Sequence, residues 1–222
     1  MPQVNYFVYG VIRTVLYRVY RILFGFRFFG AENVPLPSDG RGVLLAPNHA
    51  SFLDPPVLGI SLKRHVTYLA KEYLFRALFI GWVLRSVGAL PIKTRDDDFR
   101  SLRQLMRTLK SGNCVVVFPE GTRSPDGGLK EAEEGIGFLA ARSNAYVVPV
   151  YIQGTYEALP RGARWFRRQP VKVFYGEGFI PAEDTSLMGE ANPYKAVSQK
   201  IMSEIARLKE SAEVKRFPAK TR

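Results

Sequence analysis

Along residues 6–28, apolar side chains recur at helical spacing. With successive residues turned by about 100°, Val8, Val11, Ile12, Val15, Leu16, Val19, Ile22 and Leu23 fall within an arc of roughly 140°. Arg13, Arg18, Arg21 and Arg27 occupy the remaining side, and no acidic residue precedes Glu32. This pattern suits a helix lying in the headgroup layer of a membrane, apolar face down and cations near phosphates. An ordinary surface helix packed on its own domain has the same periodicity. The arginines interrupt any run of about 18 uncharged apolar residues, so a spanning helix is not expected. Residues 1–12 also lack the cationic start of a signal peptide. The segment is expected to hold the protein on anionic membranes, and its removal to leave residues 30–222 folded.

Beyond the turn-rich stretch 35–42 the period changes. Short apolar runs at 43–46, 66–70, 89–92, 114–118, 146–152 and 171–175 read as strands covered on both faces. Between them, helices are expected at 55–62, 72–87, 98–110 and 135–141. The third is the cleanest, with Phe99, Leu102, Leu105, Met106 and Leu109 on one face and Gly112 as its stop. The segment 72–87 is apolar nearly all round, as a core helix or the wall of an apolar ligand groove would be. Asn192-Pro193 is a helix start, followed by Val197, Ile201, Ile205 and Leu208 at helical spacing. Such alternation predicts an α/β fold, a single layered domain whose mixed, largely parallel sheet is covered by helices. The expected divisions are an amphipathic membrane-association helix at 1–29, a catalytic domain at 30–190, and a basic amphipathic helix and tail at 191–222.

Charge narrows the partners. With 32 Lys and Arg against 20 Asp and Glu, the formal charge is +12, which suits nucleic acid, an anionic membrane or an anionic substrate. The single cysteine, Cys114, lies in an apolar run and reads as core; it forms no intrachain disulfide. With only His49 and His65 as histidines, no metal site is expected.

Two polar stretches follow directly on strands. In Asn48-His49-Ala50-Ser51-Phe52-Leu53-Asp54, His49 is a candidate general base, since its reference pKa of about 6.5 lies near working pH. A carboxylate on its other ring nitrogen would fix the tautomer. A separation of five places two side chains about 140° apart on a helix and on opposite faces of a strand, so His49 and Asp54 meet only if the chain turns between them. Asp54 before Pro55-Pro56 is equally a helix N-cap. In Phe118-Pro119-Glu120-Gly121-Thr122-Arg123-Ser124, Gly121 permits close backbone approach to a ligand, and Arg123 offers a planar fork to a phosphate.

Together, the His-x-x-x-x-Asp block at 49–54 and the Phe-Pro-Glu-Gly-Thr-Arg-Ser block at 118–124 resemble the glycerophospholipid acyltransferase family, in particular its 1-acylglycerol-3-phosphate (lysophosphatidic acid) acyltransferases. The likeness extends through Ala70-Lys71-Glu72, Gly81-Trp82, Gly88-Ala89-Leu90-Pro91-Ile92 and Val148-Pro149-Val150, covering roughly residues 30–180. It implies an O-acyltransferase of phospholipid biosynthesis that makes phosphatidic acid. His49 would deprotonate the acceptor hydroxyl, supported by Asp54. Lys71 and Arg123 would hold the acceptor phosphate, with Glu120, Gly121 and Thr122 shaping that site. One departure touches the acceptor: the family usually has Asp-Arg after Gly-Ala-Leu-Pro-Ile, whereas this chain has Lys93-Thr94-Arg95. Lys93 or Arg95 would then take over the headgroup contact, or the headgroup differs.

No cofactor is implied beyond the co-substrate, acyl-coenzyme A or acyl-carrier protein. The other partners are the lysophospholipid and an anionic membrane surface, with monotopic or peripheral association on the cytoplasmic face. Rival readings are acylation of another lysophospholipid, glycerol 3-phosphate or a lyso-aminolipid, and a non-catalytic lipid-binding protein. A nucleic-acid binder is disfavoured, as no RNA-recognition or zinc-finger signature is present. Gly135-Ile136-Gly137-Phe138-Leu139-Ala140 matches a dinucleotide fingerprint but follows a charged stretch rather than a strand, so close helix packing explains it better. Arg161, Arg164, Arg167 and Arg168 around Trp165-Phe166 read first as a solvated loop, second as one facing headgroups.

Overall fold

A computed structural model describes residues 4–36, 40–92 and 98–214. The elements run α1 (Tyr6–Phe24), β1 (Arg27–Phe29), β2 (Val43–Pro47), α2 (Asp54–Ser61), β3 (Val66–Thr67), β4 (Leu69–Lys71), α3 (Leu78–Ser86), β5 (Leu90–Ile92), α4 (Asp98–Lys110), β6 (Cys114–Val116), α5 (Glu134–Ser143), β7 (Tyr146–Gln153), α6 (Thr155–Ala158), β8 (Lys172–Tyr175), α7 (Thr185–Met188) and α8 (Pro193–Glu213). Six strands form one sheet in the order β1-β8-β7-β2-β6-β3, and β4 pairs with β5 in a separate ladder. Every pairing is parallel except β7 with β8. The expected α/β architecture, mixed and largely parallel, is what forms.

Period-two alternation divides the core between the sheet's two faces. Val43 and Leu45 of β2 point with Val148, Val150 and Val173 into a layer closed by Val57 and Leu58 of α2 and by Tyr20 and Phe24 of α1. Leu44 and Ala46 point the other way, onto Leu105 and Leu109 of α4, Ile136 and Leu139 of α5, and Val197, Ile201 and Ile205 of α8. Gly137 explains the false dinucleotide motif: a Cβ there would lie 1.9 Å from Tyr194 O, so α5 and α8 approach where glycine leaves room. Cys114 is fully buried, and burial pushes its thiol up to about 12, as befits a core residue.

Three elements differ from expectation. The apolar run 66–70 divides at Tyr68, its first half joining the main sheet and its second pairing with β5. The helix expected over 72–87 is a 3-10 turn at Glu72–Arg76 followed by α3, with extended Ala77 between them; Arg85 Nη1 donates to Phe75 O at 2.8 Å across the fold-back. At the N-terminus, Gly25 ends α1 in the left-handed region and the chain continues as β1 beside β8. Tyr20, Phe24 and Phe26 are at most 4% exposed. Removing residues 1–28 would therefore strip core side chains and an edge strand, and residues 30–222 are not expected to stay folded without them. No described helix is long and apolar enough to cross a membrane.

Candidate active site

Strand β2 delivers the first polar block at its C-terminal end, where open α/β sheets bind ligands. Asn48 fastens that end to β7: its Nδ2 donates to Ile152 O (3.1 Å) and its Oδ1 accepts from Ile152 N–H (2.7 Å). The chain then turns. His49 Nδ1 and Asp54 Oδ2 are 2.8 Å apart, so the two residues meet across the turn their spacing requires. The same Oδ2 accepts from the backbone N–H of Ala50 and of Ser51, each at 2.7 Å. Asp54 is the first residue of α2 and caps nothing in that helix; its carboxylate turns back to hold the loop that carries His49. A buried carboxylate already accepting two backbone donors presents an acceptor to Nδ1, leaving Nε2 as the nitrogen available for proton transfer. The imidazole stacks on Phe118 at 3.8 Å between centroids, which fixes the ring plane.

The second block comes from the end of β6 and locks onto the first. Ser124 N–H donates to His49 O (2.7 Å), and Glu120 Oε1 accepts from His49 N–H (3.0 Å). Glu120 is 2% exposed and points inward, holding the histidine backbone. Gly121, at φ +66°, makes the turn beyond it, where a Cβ would crowd the Glu133 side chain at 3.1 Å. Thr122 is exposed, and its hydroxyl accepts from Lys130 Nζ at 2.8 Å. The Arg123 guanidinium lies over the ring of Phe52, 3.6 Å from its centroid, which brings that cation onto the His49–Asp54 turn.

Burial pushes the Glu120 carboxyl up to about 7, outweighing the His49 N–H bond and the nearby Lys130 charge. An acid whose folded pKa is raised takes up protons on folding. Its stabilisation is complete below the unfolded value of about 4.3 and disappears as pH rises through the folded value near 7. Stability of the native chain should therefore fall between about pH 5 and 8 by a component that Glu120→Gln removes. Urea unfolding at both pH values checks this; an unchanged pH slope in the variant would mean that Glu120 does not titrate there.

The structure thus gathers His49, Asp54, Glu120, Gly121, Thr122 and Arg123 at the ends of β2 and β6. Lys71 lies at the end of β4, exposed and joined to the His49 loop by no hydrogen bond or ion pair among the described residues. Lys93 and Arg95 lie outside the described residues. Sequence reasoning missed Asn48, Ser51, Phe52, Phe118 and Ser124 as parts of the scaffold. All five fall inside the two polar blocks, yet their partners are distant in sequence or across the turn.

A family model described as Acyltransferase matches residues 25–153. The chain is similar to the 1-acyl-sn-glycerol-3-phosphate acyltransferase of Bacillus subtilis, 30% identical over 161 residues, covering 72% of this chain and 76% of that one. It is 37% identical over 136 residues to a chloroplastic 1-acyl-sn-glycerol-3-phosphate acyltransferase of Arabidopsis thaliana, covering 60% of this chain but 37% of that relative. A Brassica napus relative is matched over 51% of its length, so the chain spans about half or less of these plant relatives. The crystal structure of the 1-acyl-sn-glycerophosphate acyltransferase PlsC from Thermotoga maritima superposes with a TM-score of 0.75 at 28% identity, covering 91% of this chain and 80% of that one.

Proposed function

The chain belongs to the acyltransferase family, and we propose that it transfers a fatty acyl group from an acyl thioester to the free hydroxyl of 1-acylglycerol 3-phosphate, giving phosphatidic acid. The 2.8 Å contact between His49 and Asp54 carries the reading. His49 Nε2 takes the hydroxyl proton as the oxygen attacks the thioester carbonyl. The C–S bond breaks as the tetrahedral intermediate collapses, and the imidazolium returns the proton to the departing thiolate. Asp54 holds the imidazole in the required tautomer and stabilises its cation. No nucleophile elbow is present, and Cys114 is fully buried with its thiol pushed up to about 12; both support direct transfer. The thioester is that of coenzyme A or of acyl-carrier protein.

Arg123, with Lys71, is assigned to the acceptor phosphate; Lys93 or Arg95 joins that set on the family resemblance alone. An acceptor panel assayed on one purified preparation tests the proposal. Lysophosphatidic acid should be the preferred acceptor over glycerol 3-phosphate, other lysophospholipids and lyso-aminolipids. Arg123→Lys keeps the charge but loses both the fork and the stack on Phe52, so it is not conservative. Cation–π contacts are worth roughly 0.5–2 kcal/mol, and with the lost fork the acceptor KM should rise about tenfold or more while the donor KM changes little. Equal effects on both substrates would remove Arg123 from the acceptor site.

We also propose that α1 rests on the membrane. Its apolar arc is divided in the fold. Ile12, Leu16 and Leu23 are half-buried on the side of Tyr20 and Phe24, whereas Phe7, Val11, Val15, Val19 and Ile22 form an exposed row, with Phe7 81% and Ile22 77% exposed. Arg18 is exposed between Val15 and Ile22 in that row, and Arg21 is exposed beside it; Arg13 is half-buried rather than on the open side. A monomer gains nothing from this row in water, and it suits a headgroup layer. Full burial of a large apolar side chain is worth roughly 1.5–3 kcal/mol. Phe7→Ser with Ile22→Ser should therefore weaken binding to anionic liposomes about 10²-fold, with the melting temperature preserved. Unchanged flotation would sink this reading.

A further inference from the structure

The loop between α6 and β8 combines exposed aromatic rings with a cluster of arginines. Residues 161–170 are exposed without exception, Trp165 at 83%. Arg161, Arg164, Arg167 and Arg168 lie among them, none in an ion pair among the described residues, and no acidic residue occurs between Leu159 and Lys172. A loop built only for water has no use for a bare indole, and four like charges in one short segment repel each other.

Its two anchorages say where it stands. At its root, Leu159 O accepts from Ser51 Oγ at 2.7 Å, and Ser51 belongs to the turn between His49 and Asp54. Arg167 N–H closes the loop by donating to Ala158 O, also at 2.7 Å. Beside Trp165, the Phe166 ring meets Phe24, the last residue of α1, edge to face at 5.6 Å. The loop therefore bridges the catalytic turn and the end of α1.

We propose that residues 160–170 form a second membrane contact, seating Trp165 and Phe166 in the headgroup layer of an anionic bilayer with the four arginines among its phosphates. Tryptophan concentrates at that depth because its ring is apolar and its N–H polar, and cations near an anionic leaflet are attracted to it. The proposal rests on the membrane reading of α1 and adds a contact whose root is bonded to the turn that carries His49. Two contacts, joined through Phe24 and Phe166, fix the tilt of the domain on the membrane. The His49 turn then faces the layer in which an amphipathic acceptor lies.

The chain has two tryptophans, so Trp82→Phe leaves Trp165 as the sole reporter. With vesicles of phosphatidylglycerol and phosphatidylcholine, its emission should shift to the blue, lose accessibility to iodide and be quenched by brominated lipid. Pure phosphatidylcholine vesicles should produce little of this. Arg164→Gln with Arg168→Gln, both at exposed sites outside the core, should weaken partition to the anionic vesicles about 25-fold, at about fivefold per cation. Circular dichroism and thermal melting confirm that the variants are folded. Protein that floats with vesicles while Trp165 stays open to iodide overturns the proposal and leaves the α1 reading standing. Protein that does not float at all overturns both. A Trp165 response to a soluble oligonucleotide or a short-chain acyl-coenzyme A, with none to vesicles, overturns it in favour of a different anion.

Discussion

His49→Ala is expected to lower kcat for acyl transfer by roughly 10²–10⁴-fold, the contribution of a positioned general base, while folding and liposome binding survive. The side chain is 17% exposed and, among the described residues, makes one hydrogen bond, to Asp54. Its backbone does the architectural work: N–H to Glu120 and C=O from Ser124 N–H hold the two polar blocks together and do not depend on the imidazole. Alanine keeps both. What is lost structurally is the stack on Phe118, together with a partner for the buried Asp54 carboxylate, so a modest fall in melting temperature should accompany the catalytic loss. Because the base acts only as the hydroxyl oxygen attacks, kcat should fall far more than the acceptor KM rises. The check is steady-state kinetics on protein verified by circular dichroism and flotation. A folded variant with near-normal kcat would end the mechanism, and another base would have to be found.

How the sequence reads depends on the range over which each element is determined. The strands β2, β6, β7 and β8 and the helix α4 are runs whose burial periodicity is local, and their positions were readable within a residue or two. The strand β1 was not, because Arg27-Phe28-Phe29 is three residues long and is a strand only through its pairing with β8, some 145 positions away. Tyr68 divides one apolar run between two ladders for the same reason: nothing in Val-Thr-Tyr-Leu-Ala says that its halves pair with different partners. At the site, residue types singled out His49, Asp54 and Arg123 as candidates, and the fold brings them onto one turn. The orientation of Glu120 was invisible: a glutamate in a polar turn reads as solvent-facing, and only the fold shows it beneath the histidine backbone. The wheel over α1 gave the apolar arc but could not say that one flank packs against α2 while the other stays open, since both readings share one period.

Asp54→Asn should be nearly as severe as loss of the histidine, by roughly 10²–10⁴-fold in kcat. The aspartate Oδ2 takes three donors: the Ala50 and Ser51 amides and His49 Nδ1. Asparagine can offer its one oxygen to the two amides and so preserve the turn. Its amide neither stabilises an imidazolium nor enforces which ring nitrogen carries the proton. If the NH₂ group meets Nδ1, the ring is driven to the tautomer with its proton on Nε2, where it cannot accept one from the acceptor. The geometry also disposes of a confounder: since the Asp54 carboxylate caps no N–H within α2, a catalytic loss cannot be ascribed to an unravelled helix end. Asp54→Ala, by contrast, leaves two buried amides unpaired, at a cost of about 1–3 kcal/mol each, and should lower stability visibly. The double variant His49→Ala/Asp54→Asn should be no slower than His49→Ala alone, because a carboxylate that works through an imidazole has nothing to do once the ring is gone. Additive losses in that cycle, measured on folded protein, would give Asp54 a role in catalysis independent of His49.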